Sequence, residues 1–500
     1  MNKAILILSY IIVHNFSYGQ GFNHIWLLGD NSLAPFPANG RMFIDSNSYN
    51  IITESRKMDF LGTEGNICNA NGNFLMSSNG VWIADATNDT MMNGDSINPN
   101  GVTSSWPFGL PYFANNIFLN YPGDSTKYIL FHHTITQVGS YYHCFELYSS
   151  VIDVTLNSGL GGVTLKNSVV IQDTLNEGIG ACKHANGSDW WIVMMKDASD
   201  IAYTVLCDSS GIATVFKQHL NYNPLPVENG AQLSFSLDGT KFITTTYDNP
   251  TNQNSFLVIA DFDRCTGMFS NTQTIQLTNG SYLWGLAFSP SGKYAYACSS
   301  GYIFQVDVDN LTVDTVATYD GFISPPTSTC CATTFWNMYL AANGKIYVTS
   351  GSRVRHFTEI NYPDSADTAC NVQQHSVFIG NYPHLRAVPN HPNYYLGCDT
   401  TGGCTCLTGI NENQQNDFRF RIYPNPVTEG YLHIGYLLPQ NKKGLFQIYD
   451  ITGKVVFKYG LPQWSNEQSF KLPELSEGIY NCIITSGMER VSKKIAVINE

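Results

Sequence analysis

The sequence predicts an all-β fold, a β-propeller of about seven blades followed by a small immunoglobulin-like β-sandwich. Composition is the first observation. Only 13% of the 500 residues are charged while 42 are glycine, which is typical of a chain with many turns and few solvated helix faces. The second is a strand–turn–strand unit that recurs through the central region. The third is a strand-rich segment that begins at a pair of prolines near residue 425.

The recurring unit consists of an apolar strand, a tight turn that ends in glycine, and a second apolar strand. Its turns contain Asn-Gly, Asp-Gly or Ser-Gly pairs, which permit the positive φ that hairpin turns require. From the second copy onward the glycines are 52, 53 and 52 residues apart. Five copies are centred on Gly72, Gly187, Gly239, Gly292 and Gly344. A sixth is expected at Gly123, in the gap between the first two.

A period near 50 with several strands per unit is typical of a β-propeller, in which each blade covers the apolar faces of its neighbours. We therefore predict a propeller with WD40/YVTN-like repeats over residues 20–410. The period indicates seven blades, provided that the first strand, IWLLGD, completes a blade begun by HLRAVPNHPNYYLG near the end of the domain. Six or eight blades are alternatives. A β-sandwich with ordinary hairpins is another, although the near-equal steps favour the propeller.

The segment RIYPNPVTEG (421–430) marks the start of a second domain. Pro424 and Pro426 flank Asn425. Because each proline lacks a backbone donor and restricts φ, neither a helix nor a central strand passes through them. Residues 418–500 then contain six or seven short strands, the pattern of a small β-sandwich. The preceding run, NENQQND (411–417), is a polar linker.

Residues 1–19 are predicted to be a secretory signal peptide. Lys3 precedes an apolar run over residues 4–13, and Ser17 and Gly19 are the small residues expected before cleavage between Gly19 and Gln20. That run is too short to span a bilayer, which needs about 20 apolar residues, and no other segment approaches this length. We expect no transmembrane segment, and a chain that leaves the cytoplasm.

The charge of the chain excludes one class of partner. A net charge of −13 leaves no basic cluster to neutralise a phosphate backbone, so nucleic acid is not expected to bind.

Thirteen cysteines fit an oxidising compartment. The disulfide expected first joins Cys370 to Cys330 or Cys331, because both positions flank one predicted blade. A second cluster lacks the paired spacing of a zinc site, so disulfides or free thiols are expected there. It contains Cys398, Cys404 and Cys406.

Catalytic motifs are absent from the sequence, which has no G-x-S-x-G, H-E-x-x-H, P-loop or EF-hand pattern. His132, His133 and His143 are candidates for metal binding or acid–base chemistry. Adjacent residues of a strand point to opposite faces, however, so at most one of the first two can join the third. We therefore predict no catalytic residue, no metal ligand and no cofactor.

Two other groups of residues have a chemical and a structural interpretation. The acidic segments DFDRCTG (261–267) and DVDNLTVD (307–314) offer carboxylates for calcium or for a glycosidase pair, but solvated outer strands of two blades are favoured. His184, Asp189 and Trp190 are similar to a sugar-contact set. Since Trp190 and Trp191 alternate in a strand, one of the two must lie in the core.

Five segments of the propeller resemble, in order, secreted propeller proteins of Bacteroidota. They are HIWLLGDNSLAPF, EGNICNANGNFLMSSNGVWI, ACKHANGSDWWIVM, EINYPDSADTACNVQQHSVFIG and VPNHPNYYLGCDT. These relatives end in a domain that the type IX secretion system recognises. The chain departs from them at GTEGN (62–66), where they have a longer GTAS-like run, so the resemblance assigns no surface contact to this loop.

Four later segments are similar to the type A form of that C-terminal sorting domain: IYPNPV, FQIYDITGKVV, LSEGIYNCII and KKIAVIN. The resemblance implies that the type IX machinery is a partner, that the protein reaches the cell surface or the medium through the periplasm, and that a protease removes the domain. The residues that carry this similarity are Tyr423, Pro424, Asn425, Pro426, Gly453, Gly478, Lys493 and Lys494.

The resemblance implies a route but no activity. We expect the propeller to be a binding or adhesion module for a glycan or a protein rather than an enzyme. The alternative is an extracellular hydrolase or lyase that uses the propeller channel.

Overall fold

The chain divides into two compact units, a larger one that spans Tyr18–Leu407 and a smaller one that includes Thr408–Glu500. The computed structural model describes residues 21–30, 39–44, 48–112, 116–138, 141–224, 232–247, 255–277, 282–325, 330–386, 388–399, 404, 420–423, 425–427, 430–436, 438, 442–462, 467–487 and 489–498.

The described part of the larger unit contains seven antiparallel sheets in chain order. The first two sheets are formed by β1 (Ile25–Leu28), β2 (Asn39–Ile44) and β3 (Tyr49–Glu54), and by β4 (Gly65–Cys68), β5 (Phe74–Ser78) and β6 (Ile83–Ala84). The third is formed by β7 (Asn116–Asn120), β8 (Lys127–His132), β9 (Thr136–Val138), β10 (Tyr141–Asp153) and β11 (Gly162–Leu175). Its order is β11-β10-β8-β7, with β9 paired to β10.

The other four sheets are simple four-stranded meanders. The fourth and fifth are formed by β12 (Gly180–Lys183), β13 (Trp190–Met195), β14 (Ile201–Asp208) and β15 (Gly211–His219), and by β16 (Ser234–Phe235), β17 (Lys241–Tyr247), β18 (Ser255–Asp263) and β19 (Met268–Leu277). The sixth and seventh are formed by β20 (Gly285–Phe288), β21 (Tyr294–Cys298), β22 (Tyr302–Asp307) and β23 (Val313–Thr318), and by β24 (Met338–Leu340), β25 (Ile346–Val348), β26 (His356–Ile360) and β27 (Val372–Phe378). The helical turns described are α1 (Gly101–Ser105), α2 (Leu156–Gly159) and a 3-10 turn at Asp367–Cys370.

Buried apolar clusters join each sheet to the next, and the seventh sheet to the first. At the closure of the ring, Trp26 of the first sheet packs edge-on against Tyr347 of the seventh, with ring centroids 5.7 Å apart. Neighbouring sheets therefore cover each other's apolar faces all the way round. The larger unit is a propeller of seven blades, as predicted.

The repeat glycines occupy the turn between the first and second strands of blades two to seven. All six, including Gly123, have φ between +74° and +81°, a conformation that side chains other than glycine rarely adopt. Gly239 is also closely packed, since a β-carbon there would lie 2.5 Å from Cys182 Sγ. The periodic pattern in the sequence therefore identified the turns at one end of the inner strands.

The predicted closure of the first blade is wrong. β1 pairs with β2, with Ile25 opposite Phe43, and the described residues of HLRAVPNHPNYYLG form no strand. Pro389 and Pro392 remove backbone donors at the positions where a ladder would need them. The first blade thus has three strands from one continuous segment.

The predicted disulfide of Cys370 is also wrong. Cys330 is bonded to its neighbour Cys331, and Cys370 is a free thiol buried between the sixth and seventh blades. Cys404 is bonded to Cys265, and Cys398 is also disulfide-bonded, whereas Cys406 lies outside the described residues. Seven cysteines of the described chain are free and buried, so most serve as small apolar core residues: Cys68, Cys144, Cys182, Cys207, Cys298, Cys370 and Cys482.

The smaller unit is an immunoglobulin-like β-sandwich, as predicted. One sheet, of order β28-β29-β32, contains β28 (Phe420–Tyr423), β29 (Tyr431–Tyr436) and β32 (Glu467–Lys471). The other, of order β31-β30-β33-β34, contains β30 (Gly444–Tyr449), β31 (Val455–Leu461), β33 (Gly478–Ser486) and β34 (Glu489–Val497). Alternating residues of both sheets bury one separate core, which includes Leu432, Phe446 and Ile484.

Candidate functional site

The YPNPV segment of the smaller unit is attached to the last strand through Asn425. The Asn425 side chain donates from Nδ2 to the Lys494 carbonyl oxygen (3.2 Å) and accepts at Oδ1 from the Ala496 amide (2.9 Å). Its amide group thereby pairs with β34 as a backbone peptide would. This contact explains why an asparagine stands between two prolines, which have no N–H to offer.

Val427 completes the attachment. Its amide donates to the Ala496 carbonyl oxygen (2.8 Å), and its carbonyl oxygen accepts from the Ile498 amide (3.0 Å). The Val427 side chain is buried in the core of the sandwich. The segment therefore protects the edge of β34 and fixes one end of the domain.

The other predicted sorting residues are spread over the smaller unit. The ring of Tyr423, which is half exposed, stacks on His433 with centroids 5.3 Å apart. Gly453 (φ +83°) ends the β30–β31 turn, where Asp450 accepts hydrogen bonds from Thr452 and Lys454, and these bonds lower the pKa of Asp450. The remaining residues are Pro426 beside Asn425, Gly478 at the start of β33, and Lys493 and Lys494 on β34. Pro424, Gly19 and Gln20 lie outside the described residues.

The histidine candidates of the third blade do not converge. His132 is buried and bonds Asn98 Oδ1 (2.7 Å) and Ser150 Oγ (2.9 Å), while His133 bonds the Glu177 carbonyl oxygen (2.6 Å) on the other side of the strand. Burial lowers the pKa of His132 to about 3 and that of His133 to about 4. Both rings are therefore neutral structural groups. No group of three metal-binding side chains lies together in the part of the chain that the structure describes.

The two acidic segments begin at the end of the third strand of the fifth and sixth blades and continue into the turn before the outermost strand, so they lie mainly in turns and not along the predicted outer strands. Asp261 pairs with Lys241 (2.5 Å), and Asp263 caps the β18–β19 turn by accepting from the Cys265 amide (2.8 Å). Asp307 likewise accepts from the Asn310 amide (2.8 Å) at the β22–β23 turn. These carboxylates stabilise turns.

The similarity of His184, Asp189 and Trp190 to a sugar-contact set has a structural cause. His184 accepts at Nδ1 from the Asn186 amide (3.0 Å), and Asp189 accepts from Asn186 Nδ2 (2.7 Å), so both shape the Gly187 turn. Both Trp190 and Trp191 are buried, the first against the third blade and the second against the fifth. The two tryptophans are therefore core residues, and the two polar side chains are engaged in the turn.

The stretch GTEGN is not a surface loop. Residues 62–66 are all buried where the chain enters β4. Glu64 is buried beside Arg56, and desolvation raises its pKa well above the ordinary value.

The inner strands of neighbouring blades begin side by side at one end of the ring, which we call the mouth. Gly65 at the start of β4 lies against Asn116 at the start of β7, and Gly285 at the start of β20 lies against Met338 at the start of β24. The repeat-glycine turns lie at the opposite end. This common direction places the loops that precede the inner strands together at the mouth.

The propeller channel is occupied by residues 388–399, which we call the channel segment. Near the mouth, Asn390 Nδ2 donates to the carbonyl oxygen of Ile179 (2.7 Å), which immediately precedes β12. Deeper in, Tyr394 OH donates to the Phe118 carbonyl oxygen in β7 (2.7 Å). At the far end, the Asp399 amide donates to the Ala185 carbonyl oxygen (2.7 Å) in the Gly187 turn. The segment therefore runs the length of the channel.

Side chains and a disulfide hold the channel segment. Asn393 Nδ2 donates to the Leu237 carbonyl oxygen (2.7 Å), Tyr395 OH accepts from the Phe22 amide (2.9 Å), and Arg264 Nη2 donates to the Gly397 carbonyl oxygen (2.7 Å). Beyond it, the Cys265–Cys404 disulfide joins the chain to the β18–β19 turn. Blades one, three, four and five are thus bonded to one peptide along the axis.

Four charged or titratable side chains meet at the mouth: Glu177, Asp197, His143 and Arg386, which we call the mouth cluster. His143 Nδ1 lies 3.9 Å from Asp197 Oδ2, and all four residues are half-buried. Desolvation is the largest effect on Glu177 and raises its pKa to about 7. The neighbouring Asp197 adds to this, while the Arg386 guanidinium opposes it. Arg386 donates to the Pro111 carbonyl oxygen.

An aromatic stack adjoins the mouth cluster. Trp284 and Trp336, which precede β20 and β24, are stacked with centroids 4.0 Å apart, and Tyr282 stacks on Trp284 at 5.6 Å. The Arg386 guanidinium lies over Trp336, 5.3 Å from its centroid. Sequence analysis named His143 but missed the other mouth residues, because they come from five separated segments: Glu177, Asp197, Tyr282 with Trp284, Trp336 and Arg386. Only their position just before or after predicted strands could have indicated them.

One comparison with known proteins identifies the smaller unit. Residues 421–498 match the model of the secretion system C-terminal sorting domain family. A search of curated proteins found no match. No helix among the described residues has the length and apolar character to cross a membrane.

Solved structures similar to the chain share little sequence with it. A functionally unknown protein from Desulfotomaculum acetoxidans is 12% identical, with a TM-score of 0.39 over 74% of this chain and 99% of that one. The extracellular domain of a putative hybrid two-component system from B. thetaiotaomicron is 10% identical, with a TM-score of 0.34 over 97% of this chain and 58% of that one. A quinonprotein alcohol dehydrogenase-like protein from Bacteroides thetaiotaomicron is 11% identical, with a TM-score of 0.37 over 75% and 78%. Likenesses of this size carry no conclusion about activity.

The seven closed blades and the match over residues 421–498 lead to one assignment. The chain is a secreted β-propeller protein that carries a type IX C-terminal sorting domain, which directs it to the cell surface or the medium.

Proposed function

We propose that residues 20–410 act as an extracellular binding module whose ligand is a glycan or a protein. The observation that carries this proposal is the occupied channel. Because residues 388–399 bond to the start of one blade, an inner strand of a second and an inner turn of a third, contact with another molecule falls to the mouth and the loops.

The same occupancy disfavours the alternative, a hydrolase or lyase that works inside the channel. A polymeric substrate would have to displace a segment that is hydrogen-bonded to several blades and followed by a disulfide at Cys404. Two of the candidate residues that the sequence analysis considered, His132 and His184, form structural hydrogen bonds.

We further propose how the module travels, as expected of a protein from the Bacteroidota. Residues 1–19 are a signal peptide, cleaved between Gly19 and Gln20, that brings the chain to the periplasm. After the linker 411–417, residues 418–500 then engage the type IX machinery and are removed. The asparagine contact that attaches the YPNPV segment to β34 supports a domain that folds around its own core.

Binding is tested with labelled residues 20–500 on a glycan array and on intact cells by flow cytometry. We expect saturable cell binding that either periodate, which destroys glycans, or surface proteolysis abolishes. Absence of saturable binding in both formats would contradict the proposed function.

Turnover is tested separately with glycosidase, polysaccharide lyase, lactonase and esterase substrates, with and without calcium. We expect none. Turnover that is lost in E177Q but kept in D314N, a control on the exposed face of β23, would establish the enzyme instead.

A further inference from the structure

We propose that the mouth cluster and the adjoining aromatic stack form a binding site for a neutral sugar residue of an oligosaccharide. This inference rests on the proposed binding function and names the place and the chemical class of the ligand. It depends on four features of the mouth: unused hydrogen-bonding groups, nearly balanced charge, aromatic surface and a closed floor.

The first feature is a pair of opposite charges that do not contact each other. The Glu177 side chain accepts no hydrogen bond from any described residue, and no ion pair joins it to Arg386, although the two interact electrostatically. Arg386 Nε is buried without a partner, while Nη1 donates to the Pro111 carbonyl oxygen. Poorly solvated polar groups left unsatisfied cost free energy, which a ligand with both donors and acceptors would recover.

The second feature is the balance of charge. Glu177 and Asp197 are acceptors, Arg386 is a donor, and His143 beside Asp197 can take either role. The two carboxylates would repel an anionic ligand, and the Arg386 guanidinium would repel a cationic one. Neighbouring hydroxyl groups, which donate and accept at once, satisfy both kinds of group without adding charge.

The third feature is the aromatic surface next to these polar groups. Trp284 and Trp336 are half-buried and fixed by their mutual stacking at 4.0 Å, and Arg386 is fixed over Trp336. Trp284 is stacked on both Trp336 and Tyr282, and Trp336 on both Trp284 and Arg386, so a ligand would contact the half-exposed rims of the indole rings. Rigid apolar rims beside a few polar groups suit a pyranose, which has an apolar side and a hydroxylated rim. An inorganic ion or a flexible peptide has no equivalent shape.

The fourth feature is the channel segment, which supplies a floor. The Arg386 amide donates to the Ser350 carbonyl oxygen (2.9 Å), and near the start of the channel segment Asn390 is bonded to Ile179 just before β12. A ligand at the mouth therefore meets a closed base, so we expect the site to hold one sugar residue at the surface and not to thread a polymer.

The test uses residues 20–500 and their variants. A glycan array first identifies the oligosaccharides that wild type binds, and isothermal titration then measures the tightest of them against E177Q, D197N and D314N. We expect E177Q and D197N to weaken binding at least about tenfold, the loss expected for a hydrogen bond to a charged group. D314N, which removes an exposed carboxylate at the start of β23, the outermost strand of the sixth blade, should change binding less than about twofold.

Thermal unfolding separates a binding role from a structural one. E177Q keeps the shape of the side chain and removes a poorly solvated carboxylate, so its Tm should equal or exceed that of wild type. Equal affinity of E177Q, D197N and D314N for the oligosaccharide would overturn the site while leaving the binding function in place. An array with no bound oligosaccharide, together with cell binding that proteolysis abolishes, would overturn the sugar assignment and favour a protein ligand.

Discussion

The two units place their candidate functional residues in different ways. In the sorting domain, the YPNPV motif contacts β34 directly through Asn425, 69 to 71 positions away within the same small sandwich. In the propeller, the contacts that define the mouth and channel join different blades, and those of Asn390 and Tyr394 span 211 and 276 positions. A motif can be read in the first unit because its residues are contiguous. In the second unit, the repeats indicate the blades, but the sequence of a single loop does not indicate which other loops it contacts.

The difference follows from how each unit is built. The sorting domain keeps its contiguous motif at a strand edge, where Asn425 takes the place of backbone donors that proline lacks. The propeller repeats one supersecondary unit, and repetition constrains turns and core positions. Its mouth is built from the residues between the repeats, which are free to vary.

The largest expected effect is on export, which should require the sorting domain but not the propeller. Deleting residues 418–500 should leave a folded propeller in the periplasm, because the propeller has its own closed ring of cores. Residues 411–500 fused to an unrelated secreted reporter should bring it to the surface or medium of a host with type IX machinery. Cell fractionation with a protease-protection assay measures both. Surface display of the truncated protein, or periplasmic retention of the fusion, would contradict the division of roles.

Acid should destabilise the propeller before the sorting domain. Burial lowers the pKa of His132, His133 and His391 to about 3, 4 and 3, whereas the unfolded chain takes up these protons near pH 6.5. Protonation of these three histidines therefore favours unfolding as the pH falls from about 6.5 to 4. The raised pKa values of Glu64 and Glu177 act in the opposite direction, and we expect the three histidines to outweigh them. The sorting domain has one histidine, His433, which bonds Ser469 at an exposed position.

Scanning calorimetry of residues 20–500 at pH 7 and pH 4.5 measures this difference. We expect the propeller transition to move down more than the sorting-domain transition. Equal shifts of the two transitions would show that the buried histidines do not set the acid response. H433Q is the matched control and should leave the difference unchanged.

A smaller effect is expected from substituting one turn glycine in each unit and comparing the loss of stability. G239A and G453A both place a β-carbon at positive φ, which costs about 1 kcal/mol. At Gly239 the added carbon would also lie 2.5 Å from Cys182 Sγ and 2.8 Å from Arg264 Cδ, whereas nothing lies within 4 Å at Gly453. We expect G239A to destabilise the propeller by about 2–4 kcal/mol in denaturant titrations and G453A to destabilise the sorting domain by about 1 kcal/mol. Similar losses at both positions would mean that the channel side of the turn is less closely packed.

The smallest effect concerns Asn425. N425A removes two hydrogen bonds to β34 at an exposed edge, so the free energy of unfolding of the sorting domain should fall by about 1 kcal/mol. N425D keeps the acceptor for the Ala496 amide and loses the donor to Lys494, so it should lie between N425A and wild type. Faster hydrogen exchange at Ala496 in N425A than in N425D would support the assignment. Unchanged exchange in N425A would refute it.

Much of the scaffold was predictable from sequence for a physical reason. A tight turn needs positive φ, glycine adopts it without strain, and the spacing of Gly187, Gly239, Gly292 and Gly344 therefore recorded the blade period. The strands of the sorting domain were predicted on the same local grounds. Local backbone preference and alternation of apolar residues determined these features.

Failures occurred where a contact depended on distant parts of the chain. The pairing of Cys370 and the ladder expected for HLRAVPNHPNYYLG both concerned partners that sequence order does not reveal. Two prolines in the channel segment were a local warning that no strand would form there, but nothing local shows that the segment runs through the ring.

By itself, the sequence determined an all-β chain, a repeat near 53 residues, a separate sandwich and an export label, because each depends on residues within one turn, strand or motif. Tertiary structure alone decided that the channel is occupied and that Glu177, Asp197, His143 and Arg386 meet at its mouth. The physical reason is ring closure. Seven sheets must cover one another's apolar faces, and the geometry of that closure brings distant loops to one end of the ring.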